Sequence, residues 1–370
     1  MKDLNIVTLN VPYPPDYGGM IDSYYRIKWL KQAGITIHLH CFEYGRKSSH
    51  ELESLCKTIC FYPRHTGILS FFSSLPYIVK SRDSNSLLEN LKSNDYPILF
   101  DGLHTTYFLN DPGLISRKKF VRIHNIEHLY YKSLAYSEKD LVKKLYFWFE
   151  SRKLLKYEKR LGTVNLLTIS EFDYNYFTFL NKNAVLSPPF HQFDEVISKT
   201  GSGKYILYHG DLSVSENSLV ARSLVKNVFS KIKYKCIIAG KNPRQYLCKT
   251  ADKIQNIRII ANPDQNEMED LIRNAHINLL PASSSNGFKL KHLISLYSGR
   301  FCIVNSIAAI NFPDKSLFHI ADSEEEMIVT INQLMEIEFS DEIIRKRKIL
   351  LGERFSNKRN THELVNSIFP

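Results

Sequence analysis

At roughly 150 residues per domain, the 370 residues make one large or two mid-sized domains. With 44% hydrophobic and 24% charged residues, and only 15 Gly and 14 Pro, the composition is that of an ordinary globular chain, which excludes disordered, fibrous and small disulfide-stapled proteins. The formal charge of +11 favours an anionic partner: a nucleotide, a nucleic acid or an acidic lipid surface.

Residues 4–11 read as the first strand of a folded domain, too short and too alternating for a signal-peptide core. A helix over 24–33, closed by Gly34, and a strand over 36–42 follow. Between the first strand and that helix stand Asp16, Tyr17, Gly18 and Gly19; paired glycines let a backbone approach a ligand, or simply make a tight turn. The six cysteines show no Cys-x-x-Cys spacing and read as reduced cytoplasmic thiols. Cys56 and Cys60 would share one side of a helix, but no second pair stands near to complete a zinc site. The uncharged segment 66–79 falls short of the ~20 residues a spanning helix needs, so none is expected.

Further strands are expected at 96–100, 120–124 and 164–169, each ending in polar residues, where the carboxyl ends of a parallel sheet meet ligands. Residues 124–128, His-Asn-Ile-Glu-His, match the H-x-x-E-H pattern of zinc peptidases, yet they begin at a strand end, before a helix can place both rings. A long helix over 140–161 sets Leu141, Leu145, Trp148, Leu155 and Tyr157 among seven lysines and arginines. It is either a domain helix with a solvated basic face or a surface held on anionic lipid.

Pro188-Pro189 and Gly201-Ser202-Gly203 mark a linker over 188–203, after which the strand–helix rhythm restarts. Strands are expected at 204–208, 234–239, 258–260, 277–280 and 301–304, with helices at 217–229, 266–274 and 289–297. Gly210 and a polar loop lead to a helix start near Asn217, where free N–H groups favour a phosphate. Lys241 follows a strand toward the same ligands. Residues 281–304, PASSSNGFKLKHLISLYSGRFCIV, present backbone donors around Gly287 and the ammonium of Lys289 in the first turn of a helix, an arrangement suited to an anion.

Taken in order, YPPDYGGM, VRIHNIEHLYYKSLA, LTIS and GFKLKHLISLYSG resemble the family-four-like (group 1) glycosyltransferases of bacterial surface polysaccharide synthesis, which build capsule and lipopolysaccharide. The resemblance spans nearly the whole chain. It implies an α/β protein of GT-B fold, two Rossmann-like domains facing each other across a cleft. The acceptor-side domain would be 1–187, the linker 188–203, the nucleotide-sugar-side domain 204–340, and the helix in 341–370, around 341–354, would return to the first domain. It also implies transfer of a hexose from a nucleoside-diphosphate sugar to a glycan or lipid-linked acceptor, with retention and with neither metal nor cofactor. The protein would be cytoplasmic, at the inner face of the membrane, with an anionic membrane surface but no nucleic acid as partner.

By resemblance, the catalytic residues are His124, Lys289 and Lys241. Gly18, Gly19, Gly210, Asn217, Asn286, Gly287, Phe288 and Lys291 would hold the donor, and Asp16, Tyr17, His104, Asn125 and Glu127 would lie on the acceptor side. The chain departs from the family at two positions, where many relatives carry Glu, seven residues, Glu; here they are Asn286 and Ile294. Asn286 can still bond a sugar hydroxyl, whereas Ile294 cannot bind a ribose diol, a loss of ~1.5–3 kcal/mol in donor binding. Two rival readings follow: a non-catalytic GT-B scaffold in glycan assembly, favoured by Ile294, and an H-x-x-E-H zinc hydrolase.

Overall fold

A computed structural model describes residues 2–46, 49–180 and 182–370 of the protein, which form two compact units. The first comprises Met1–Gln192, Asn286–Phe288 and Asn357–Pro370; the second comprises Phe193–Ser285 and Lys289–Ser356.

Seven parallel strands build the first unit: β1 (Lys2–Thr8), β2 (Ile35–Glu43), β3 (Thr58–Pro63), β4 (Ile98–Asp101), β5 (Lys119–Ile123), β6 (Asn165–Thr168) and β7 (Ala184–Leu186), in the order β3-β2-β1-β4-β5-β6-β7. Sequence order reverses between β1 and β4, the switch point beside which doubly wound sheets bind ligands at their carboxyl ends. Both faces of the sheet are covered, so most positions of the inner strands are apolar, although β2 (ITIHLHCFE) alternates with threonine and histidine. On one face Leu4, Ile6, Leu99 and Phe120 pack with Tyr25, Ile27 and Leu30 of the Gly18–Gln32 helix and with Leu364 and Ile368 of the Asn357–Ile368 helix. On the other, Val7, Phe100 and Val121 pack with Leu154 and Phe177.

The second unit repeats the plan with six parallel strands: β8 (Ile206–His209), β9 (Cys236–Gly240), β10 (Ile257–Ala261), β11 (Ile277–Leu279), β12 (Phe301–Val304) and β13 (His319–Ile320), ordered β10-β9-β8-β11-β12-β13. Its switch point lies between β8 and β11. Two Rossmann-like units in one chain are the GT-B architecture.

Three expectations change. Residues 341–370 are two helices, not one: Asp341–Phe355 belongs to the second unit and only Asn357–Ile368 to the first. Buried Arg347 holds the former in place, donating Nη1 to the carbonyls of Leu296 (3.1 Å) and Gly299 (2.8 Å) and Nη2 to that of Arg300 (2.5 Å). The Asn357 side chain bonds both the N–H and the carbonyl of His191, and Lys118 Nζ donates to Ile368 O at 2.9 Å, anchoring the latter.

The segment expected as a linker is tied down at both ends. Arg122 donates to the carbonyls of Ser187 and Pro188, and Phe190 N donates to Asp22 Oδ1 at 2.8 Å. Ile197 N donates to Tyr297 O at 2.7 Å, so the division between units falls at Gln192–Phe193. Cys56 follows a short helix and Cys60 lies in β3, so they share no helix face. Among the described residues, no helix is long and apolar enough to cross a membrane.

Candidate functional site

In the second unit the groups converge at the carboxyl ends of β8 and β9 and at the starts of the helices Ser215–Asn227 and Leu290–Ser298. Gly210 ends β8 at φ 155°, and a Cβ on Gly240 would stand 1.8 Å from the Gly210 carbonyl oxygen, so the two loops approach as closely as they do only because Gly240 is glycine. Tyr208 donates its hydroxyl to Asn217 O at 3.0 Å, and Asn217 donates its amide to Asp211 O at 3.0 Å. Lys291 Nζ then donates to Asn217 Oδ1 at 3.3 Å and lies 5.1 Å from the centre of the Tyr208 ring. Burial, with repulsion from Lys289 second, pulls the Lys291 ammonium down from 10.5 to about 8.

Lys289 caps the second helix rather than lying within its first turn, and its ammonium is 3.7 Å from Glu216 Oε1. That same oxygen accepts from the Ser284 N–H at 3.2 Å and its hydroxyl at 3.0 Å. Glu216 thereby fixes the loop before Asn286. Lys241 stands just past β9, its carbonyl accepting from Leu212 N at 3.0 Å. Asn286, Gly287 and Phe288 group with the first unit, Gly287 at φ 67°, where a side chain would be strained.

In the first unit a chain of buried charges runs behind His124. Its Nε2 lies 2.8 Å from Asp101 Oδ1; the other Asp101 oxygen takes the Ser23 hydroxyl and faces Arg26 Nη2 at 2.5 Å. Arg26 Nη1 pairs with Asp22 at 2.5 Å, and Arg122 grips both Asp22 oxygens, at 3.0 and 2.8 Å. Against the desolvation that opposes it, the attraction of Arg26 and His124 holds the Asp101 carboxyl well below the carboxylate range, so it is ionised. Asp22, Asp101 and His124 bring ligand-type atoms within 4.8 Å of one another, but two arginines cancel the two carboxylates, so a cation would meet no net negative charge.

Gly102, at φ 94°, passes between His104 and His124, either of which a Cβ there would meet at 3.4 Å. Burial and Arg82 keep His104 neutral. Gly18 and Gly19 form the first turn of their helix, which starts six residues earlier than expected, with Tyr17 at its N-cap. Arg46 pairs with Asp16 and stacks 5.0 Å from the Tyr17 ring. Asn125 faces Glu127 Oε1 at 3.5 Å, and burial, followed by the charge of Glu158, raises the Glu127 carboxyl to about 8.

The zinc reading of residues 124–128 does not survive. His124 precedes the Glu127–Ser137 helix and turns to Asp101, while His128 Nδ1 sits 2.6 Å from Glu158 Oε2. The two rings are claimed by different carboxylates and do not converge.

The profile of the family Glycosyl transferases group 1 matches residues 203–336, the stretch that carries Gly210, Asn217, Lys241, Lys289 and Lys291. Within the second unit, this stretch is similar to the group 1 glycosyltransferase family. A curated relative, the "Uncharacterized 44.6 kDa protein in cps region" of Klebsiella pneumoniae, is 26% identical over 331 residues, 84% of each chain. Among solved structures, S. aureus TarM in complex with fondaparinux, alpha-GlcNAc-glycerol and UDP superposes with a TM-score of 0.68 at 13% identity over 100% of both chains. Anabaena Alr3699/HepE in complex with UDP and glucose superposes with a TM-score of 0.63 at 10% identity over 100% of this chain and 99% of its own. These two likenesses establish the GT-B fold.

Within the matched stretch, Ile294 is buried, 8% exposed. Sequence reasoning missed Glu216 and the whole Asp22–Arg26–Asp101–Arg122 chain. The latter left a signal: an Arg inside KFVRI and an Asp closing ILFD are charges in otherwise apolar buried strands, and such charges must be paired.

Proposed function

We propose that the protein transfers a hexose from a nucleoside-diphosphate sugar to a glycan or lipid-linked acceptor, with retention at the anomeric carbon and without a bound metal, in the cytoplasm at the inner face of the membrane. The observation that supports the donor half is the cradle of Gly210, Asn217 and Lys291 inside the residues that match the group 1 family. As the glycosidic bond to the diphosphate breaks, negative charge grows on the leaving oxygens. Fixed cations and helix-start N–H groups, already in position, stabilise that charge with no metal. UDP in TarM and in Alr3699/HepE, and glucose in the latter, support a uridine diphosphate hexose as donor. The cps-region relative supports a capsular or related surface polysaccharide as product.

His124 is the first unit's candidate for a sugar hydroxyl: Asp101 holds one ring nitrogen and leaves the other for the ligand. The test is a thermal-shift panel of nucleoside diphosphates and their sugars, followed by turnover with the donor that binds; saturation at 100 times Kd stabilises by ~2.7 kcal/mol. Lys289→Ala should cut turnover by ~10²-fold, the size expected for losing one preorganised group. NMR of the new linkage reads the anomeric outcome, and EDTA should leave the rate unchanged. No shift with any nucleotide would overturn the donor assignment.

A further inference from the structure

The chemistry above leaves unused the most cationic element of the first unit, the Leu141–Lys159 helix. Its first half exposes Leu141 (74%), Val142 (78%), Leu145 (57%), Trp148 (41%) and Phe149 (56%). At about 100° per residue these five share one third of the helix circumference. Arg152, Lys156 and Lys159 continue the same stripe through the second half, all exposed. Both acidic residues of the helix, Glu150 and Glu158, are buried on its other side, so the outward stripe carries no negative charge.

The surroundings extend the pattern. Arg152 stacks 3.9 Å from the Trp148 ring, placing a cation over the last apolar turn. Lys153 Nζ donates to Phe71 O at 2.9 Å and fixes beside the helix a turn whose Phe72 is 83% exposed. At the basic end, a cavity of about 200 Å³ is lined by Lys153, Lys156 and Arg160 together with Ser74, Asn110 and Leu75, among others, and no acidic residue lines it. Lys153 is paired with Glu150 at 2.8 Å; Lys156 and Arg160, with a hydroxyl and an amide around an opening edged by leucine, match a phosphate that carries an alkyl chain. A nucleic acid would use the cations and leave the apolar half in water.

We propose that the outward stripe of this helix lies in an anionic bilayer surface, its first half entering the acyl boundary and the cavity at its basic end receiving a lipid phosphate. The inference rests on the membrane placement proposed above and is independent of the donor chemistry. A short amphipathic face binds such a surface through buried apolar area plus attraction to anionic headgroups, and each cation near the surface multiplies affinity about fivefold.

Full-length protein is sedimented with phosphatidylcholine vesicles with and without phosphatidylglycerol, and Trp148 emission is followed in a Trp29→Phe background. Binding should need the anionic lipid, fall with salt and shift Trp148 emission to the blue. Lys156→Gln with Arg160→Gln should weaken it by about 25-fold, two factors of five, and Leu145→Ser with Trp148→Ser should abolish it. Each variant should keep the wild-type thermal shift with UDP, which shows that it has folded.

Equal sedimentation with both vesicles, sedimentation with neither, or a double glutamine variant that binds like wild type would overturn the inference. So would a cavity that responds only to inorganic phosphate, scored as a thermal shift lost in that variant while vesicle binding persists. Loss of vesicle binding with an intact UDP response defeats this inference alone; the reverse pattern defeats the donor assignment alone.

Discussion

Lys291→Met isolates the contribution of one ammonium to a site that works against stability. The native ammonium is held at about 8 instead of 10.5, and ~1.4 kcal/mol per pH unit makes that about 3 kcal/mol. The sign follows from proton counts. Below pH 8 Lys291 is charged in both folded and unfolded chains, and folding bears the full cost. Between 8 and 10.5 the unfolded chain keeps a proton that the folded chain has lost, so stability rises with pH across that window. Methionine retains the stem and removes the charge, but it also removes the hydrogen bond to Asn217 and the contact over Tyr208, about 1 and 0.5–1 kcal/mol.

The net expectation is a ligand-free protein more stable at pH 7 by about 1–2 kcal/mol, with the gain vanishing near pH ~9 and reversing by pH ~10. Nucleotide binding should move the other way, because a diphosphate favours the charged lysine: the UDP affinity of the native protein should fall as pH rises through 8, and that of the variant should be low and flat. Urea unfolding at pH 7 and pH 10, with and without UDP, measures all four quantities. A variant less stable than the native protein at pH 7 that still binds UDP normally would refute both the burial cost and the donor role.

Three further outcomes are expected. Glu127, raised from 4.5 to about 8 by burial and Glu158, stays protonated in the folded chain while the unfolded chain ionises, so stability should fall between pH 4.5 and 8 by at most about 5 kcal/mol; Glu127→Gln should flatten that slope in urea melts. Asp22→Asn leaves Arg26 and Arg122 buried with one countercharge fewer and should cost about 3–5 kcal/mol in the same assay. Gly240→Ala forces a methyl toward the Gly210 carbonyl, and a loss of about 1–3 kcal/mol with a weaker UDP shift is expected; unchanged unfolding would show that the two loops do not depend on this close approach.

The doubly wound halves were legible because strands covered on both faces are largely apolar, as β9 (CIIAG) and β12 (FCIV) are throughout. The strands β3, β7 and β13 went unread: they lie at sheet edges, partly exposed, and carry little of that signal. The loops of the candidate site were legible, since glycines and small polar residues follow its strands. Lysine content near residue 290 was visible too, but Lys289 and Lys291 differ by about 200° of helical rotation. Only the packing of that helix beside β8 sends Lys291 to Asn217 and Lys289 to Glu216.

The sequence by itself therefore determined the class of each half, the order of its inner elements and the positions of the loops at its strand ends, because these follow from local periodicity and backbone chemistry. Tertiary structure decided which charges meet. The parallel register of β4 on β5 sets Asp101 opposite Arg122, and the helix from Gly18 brings Asp22 and Arg26 to them, so that four charges far apart in the chain become one neutral, dry network holding His124. The same holds at the outer helix, where packing buried both glutamates and left the apolar and basic side chains to the outside. Pairing and burial depend on distances between segments remote in sequence, and no local pattern encodes them.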